Sequence, residues 1–82
     1  MRKNDDDLLR RSFRIAGHPT SISMERIFWE EFRRIAEEDG RSMTDLISEI
    51  DVQRESGLSR AVRVFILKRL QSQKSAILTG FE

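Results

Sequence analysis

The sequence predicts a mainly α-helical fold with one short N-terminal β-strand, built as an intertwined homodimer around an intermolecular two-stranded antiparallel sheet. Three observations carry this expectation. First, Thr20-Ser21-Ile22-Ser23-Met24 alternates polar and apolar residues and runs straight into helical periodicity. A lone strand of five residues cannot satisfy its own backbone N–H and C=O groups, and no preceding segment of matching strength lies beside it, so the expected partner is a second copy of the chain. Second, 82 residues with 38% hydrophobic content and no cysteine make a marginal monomer without disulfides or thiolate metal sites, which leaves oligomerisation as the remedy. Third, Ala61, Val62, Val64, Phe65, Ile66, Leu67 and Leu70 cover most of the circumference of a helix, more than one small chain could surround.

Taken in order, residues 1–10 read as a disordered arm, because Asp5-Asp6-Asp7 between basic pairs has no period and little to bury. Phe13 and Ile15 flank Arg14 in a short strand or extended lead-in. Gly17-His18-Pro19 reads as a turn, since glycine permits positive φ and proline cannot donate to a ladder. The first helix, about Glu25 to Glu38, places Phe28, Phe32, Ile35 and Ala36 on one face with Trp29 beside them. Gly40 fits the left-handed position that closes a helix, and Ser42 fits the N-cap of the next, with Asp45 near the positive end of its dipole. That second helix should bury Met43, Leu46, Ile47 and Ile50 and end at Ser56-Gly57, after which Ser59 would cap a third helix over 60–73. The domain is expected over 11–74, with 75–82 a flexible tail. An alternative register takes Ser59-Arg60-Ala61-Val62-Arg63 as the opening of the second helix, but leaves its first helix without an adjacent strand.

Net charge is only +1, yet Arg10, Arg11 and Arg14 lie in an acid-free stretch, as do Arg60, Arg63, Lys68, Arg69 and Lys74. A dimer doubles each patch, so a locally positive face is compatible with a nearly neutral total. The N-terminus lacks the apolar core of a signal peptide, and no apolar run approaches the roughly 18 residues of a membrane span, so a soluble cytoplasmic protein is expected. His18 has no nucleophile-elbow context, and Asp5-Asp6-Asp7 lacks the alternation and glycine of a calcium loop. Neither an enzyme nor a cofactor or metal site is expected.

The order strand, helix, Gly40-Arg41-Ser42, helix resembles the ribbon-helix-helix DNA-binding proteins. The most specific likeness is Ala36-Glu37-Glu38-Asp39-Gly40-Arg41-Ser42-Met43, which is similar to the turn between the family's two helices. The opening Arg11-Ser12-Phe13-Arg14-Ile15-Ala16-Gly17-His18-Pro19-Thr20-Ser21-Ile22 and the later Ile50-Asp51 and Leu58-Ser59-Arg60-Ala61-Val62-Arg63-Val64-Phe65-Ile66-Leu67 resemble a bacterial subgroup of small ribbon-helix-helix proteins, while the third helix departs from the family's minimal fold. The resemblance spans roughly residues 11 to 70. It implies a two-stranded ribbon in the major groove of double-stranded DNA, with Ser21 and Ser23, beside Thr20, reaching base edges. It also implies phosphate anchoring at the N-terminus of the second helix, at Ser42 and Met43, with charge added by Arg41. Arg11 and Arg14 are candidate phosphate contacts or, equally, solvated edge charges.

The resulting expectation is a dimeric transcriptional regulator, repressor-like or antitoxin-like. A protein-interaction module on the same dimer scaffold, docking a partner such as a toxin through the third helix, is the alternative. A membrane-surface role is disfavoured, because the cations of 60–74 are scattered around the helix.

Overall fold

The computed structural model describes residues 5–79. The first four residues of the expected arm and residues 80–82 of the expected tail lie outside the described residues. The element order is β1 (Leu8–Ile15), β2 (His18–Glu25), α1 (Arg26–Asp39), α2 (Met43–Gln53) and α3 (Leu58–Thr79).

The ribbon is the main correction to the sequence-based expectation. The strand preceding α1 does not wait for a second chain: β2 pairs antiparallel with β1 of the same chain, in the register Ile15↔His18 to Leu8↔Glu25. There are therefore two strands per chain, and the sheet they form is intramolecular. The turn is Ala16-Gly17, with φ of 53° and 81°, both in the left-handed region that a two-residue type I′ hairpin demands. Gly17-His18-Pro19 is consequently not the turn, because His18 and Pro19 already belong to β2. Proline is tolerated there for a geometric reason. The Arg26 N–H donates to the Asp7 carbonyl at 2.8 Å, continuing the ladder, so the hydrogen-bonded pairs include Ile15 with His18 and alternate from there. Pro19 falls between them, where a backbone N–H would point off the ribbon and nothing in the ladder is lost.

Residues 5–10 are also more ordered than an arm. Asp5 is buried, its carbonyl accepts from the Ile27 N–H at 3.1 Å, and Leu8–Arg10 are strand. These carbonyls occupy the first N–H groups of α1, whose N-cap Glu25 makes no side-chain capping bond. At the other end Gly40, with φ 64°, closes α1 as expected. Ser42 caps α2 by accepting from the Asp45 N–H at 3.0 Å. The third helix differs in both its bounds. It starts at Leu58 and runs to Thr79, through part of the expected tail, and Ser59 does not cap it. The first-turn Ala61 N–H donates to the Gly57 carbonyl, while the Ser59 hydroxyl accepts from the Ser23 N–H of β2 at 3.2 Å.

One core joins all five elements: Ile15, Ile22 and Met24 from the ribbon, Trp29, Phe32, Ile35 and Ala36 from α1, Leu46 and Ile47 from α2, Val62 and Ile66 from α3. Phe32 is its centre, edge-on to both Trp29 and Phe65. The helix expected to be enclosed on nearly all sides is covered on one: within a single chain Val64 and Leu67 stay 45% and 54% exposed. At the far end of α1 a two-pronged pair, Arg69 to Asp39 at 2.9 and 2.7 Å, ties α3 to the helix terminus.

Candidate nucleic-acid interface

Side chains directly opposite each other in an antiparallel pair share a face, so the register sorts the ribbon into two sides. The inner side carries Ile15, Ile22 and Met24 into the core. The outer side carries Arg10, Ser12 and Arg14 from β1 and Pro19, Ser21 and Ser23 from β2. Glu25 closes this row at its far end beside Leu8, leaving the middle of the face free of acid.

The outer row is internally organised. Arg10 Nη2 donates to Ser21 Oγ at 3.2 Å, and the Ser12 and Ser21 hydroxyls lie 3.5 Å apart. Arg14 Nη1 donates to the Gly17 carbonyl at 3.1 Å, which holds the guanidinium over the turn. Arg10 and Arg14 are four residues apart on one strand, so a rise of about 3.3 Å per residue sets them roughly 13 Å apart along the ribbon. A guanidinium can grip guanine O6 and N7 together, and a serine hydroxyl donates or accepts against any base. The face thus combines two directional donors with adaptable hydroxyls between them.

The residues singled out from sequence divide between this face and two other places. Arg14, Ser21 and Ser23 lie on it, although Ser23 is half-buried. Thr20 lies on the inner side, where its hydroxyl donates to the His18 carbonyl at 3.3 Å. Arg11 is also on the inner side, its guanidinium 5.4 Å from the centre of the Trp29 ring. His18 shares that side, so it does not meet Ser21 or Ser23. Arg41, Ser42 and Met43 gather at the start of α2: Arg41 pairs with Glu49, Ser42 is the cap, and Met43 packs half-buried against the core. Sequence reasoning missed Arg10 and Ser12. Alternation counted backwards from Ile15 through Phe13 marks them as outward, a signal available once β1 is recognised as a strand.

Residues 8–70 match the model of a ribbon-helix-helix domain. Among solved structures, an uncharacterized protein from Bordetella pertussis Tohama I superposes with a TM-score of 0.79 at 24% sequence identity, over 93% of this chain and 66% of that one. At that identity the likeness is one of fold, and this chain spans just under two thirds of the length of that protein. No curated protein matches the chain.

Proposed function

This chain belongs to the ribbon-helix-helix domain family, whose members bind DNA, and from that premise we propose that it is a dimeric, sequence-specific DNA-binding regulator of transcription. The observation that carries the reading is the outer side of the hairpin, where Arg10, Ser12, Arg14, Ser21 and Ser23 form a polar, basic row backed by Ile15, Ile22 and Met24 buried in the core. A two-stranded ribbon fits the major groove, and the two arginines supply the directional base contacts that serines alone lack. The N-terminus of α2, with Ser42 and Met43, is the phosphate anchor, and Arg41 adds charge once it exchanges Glu49 for the DNA backbone.

Anisotropy titration on duplex DNA at two salt concentrations tests this. Affinity should fall with salt as fewer counterions are released, and Ser21→Glu should abolish binding without unfolding the protein. Micromolar protein that binds no duplex at low salt overturns the proposal.

Pairing of two chains is supported by the uncovered side of α3. Val64 and Phe65, with Ile50 and Ala61, line a groove of about 390 Å³ between the end of α2 and α3, and Leu67 lies exposed on the same helix. The same groove favours a second reading, a scaffold that docks another protein such as a toxin. Sedimentation of the pure protein separates the two: a dimer dissociated by Leu67→Glu supports self-pairing, and a monomer with that face free supports a different partner.

A further inference from the structure

Behind the ribbon, on the inner side of β1, a cavity of about 190 Å³ opens between β1, α1 and the first residue of α2. Leu9, Trp29 and Met43 give it an apolar lining, and Arg11, Arg26 and Arg33 line it beside them. Arginines gathered around an apolar surface ordinarily meet carboxylates. Among the described residues these scarcely do. Arg11 has only the Trp29 ring. Arg26 has its Nε shut off from solvent with no hydrogen-bond acceptor. Arg33 reaches only Glu37, at 3.5 Å, in an exposed pair that holds little in water. Glu30 also lines the cavity, one carboxylate against three cations, and it already has an interaction of its own.

Three like charges gathered around one cavity repel one another. A single multivalent oxyanion relieves that repulsion. We propose that this cavity binds a small, soluble, multivalent oxyanion, of the phosphate or polycarboxylate class, gripped by Arg11, Arg26 and Arg33. At about 30 Å³ per water, the volume holds roughly six waters, room for a compact anion of that kind. The site faces away from the outer row of the ribbon and shares Met43 alone with the groups proposed to meet DNA.

Trp29 is the sole tryptophan of the chain and lies under Arg11, so its fluorescence reports on occupancy. The full chain is titrated with inorganic pyrophosphate at constant ionic strength, potassium chloride making up the balance. A saturable change is expected, weakened at least about tenfold in Arg26→Gln/Arg33→Gln, as loss of charge-assisted hydrogen bonds requires. Arg10→Gln, on the opposite side, should bind pyrophosphate as the wild type does. Arg33→Gln alone removes an exposed side chain and keeps the test valid should the double variant misfold. A response no different from that to chloride, or one unchanged in both Arg33 variants, overturns the proposal. So does a duplex that displaces pyrophosphate from Arg10→Gln/Arg14→Gln, because the DNA backbone would then be the source of the oxyanion.

Discussion

The two sides of the hairpin share one backbone and differ in everything that residue parity controls. On the inner side Ile22 and Met24 are fully buried, and with Ile15 they fasten the ribbon to α1, α2 and α3. On the outer side Arg10, Ser12, Arg14 and Ser21 are exposed and contact mostly one another. Neighbouring positions such as Ser21 and Ile22 therefore answer to different constraints, one to what the protein meets and the other to whether it folds. The outer row from Arg10 to Ser21 can vary without loosening the ribbon's own foundation, because among the described residues its ties to the helices run through half-buried Ser23, whose backbone N–H binds Ser59, and through Glu25, the N-cap of α1.

The sharpest way to break that comparison is to truncate adjacent residues. Ile22→Ala should lower stability by about 2–5 kcal/mol, through lost transfer energy and the cavity left behind, and should show as a large drop in the urea midpoint. Ser21→Ala should move the same midpoint by less than about 0.5 kcal/mol equivalent, and comparable losses would mean that the two sides are not separable. A smaller effect is expected at the turn that sets the register of both sides. Ala16 holds φ 53°, which costs an L-residue with a β-carbon, and Ala16→Asn should stabilise by about 1 kcal/mol in thermal melts because Asn-Gly suits a type I′ turn. The smallest effect concerns a contact remote from the ribbon. The hydrogen bond from Arg69 holds the Asp39 carboxyl below its ordinary value of 3.8, so its contribution is present above that pH and is lost as pH falls through the lowered value. Asp39→Asn should thus be slightly less stable than wild type at neutral pH and converge with it in acid, with DNA affinity unchanged.

The helices were legible because their signals are local. Gly40 and Ser42 punctuate α1 and α2 with residues whose backbone and side-chain preferences act within a few positions. Strand β2 was legible from parity alone. Its partner was not, because Leu8-Leu9-Arg10-Arg11 shows no alternation: Leu8 is exposed, and Arg11 points inward, where Trp29 accepts its guanidinium. Alanine at a left-handed turn position and a proline inside a strand hid the hairpin further. With alternation visible only around Phe13 to Ile15, a short strand or lead-in is all that the sequence shows of β1, so a second molecule is the apparent partner and Arg10 and Ser12 fall outside the candidate face. Ser59 misled for a related reason: a helix-capping residue type was employed instead to hold β2, a contact 36 positions away that no local pattern announces.

A loop of two residues closes this ribbon, and that sets its timing. Hairpins of this kind zip within microseconds of the chain becoming available, at a rate indifferent to how many copies the cell contains. Each newly made molecule thus closes its own ribbon whatever its concentration, and dilution leaves that pairing untouched.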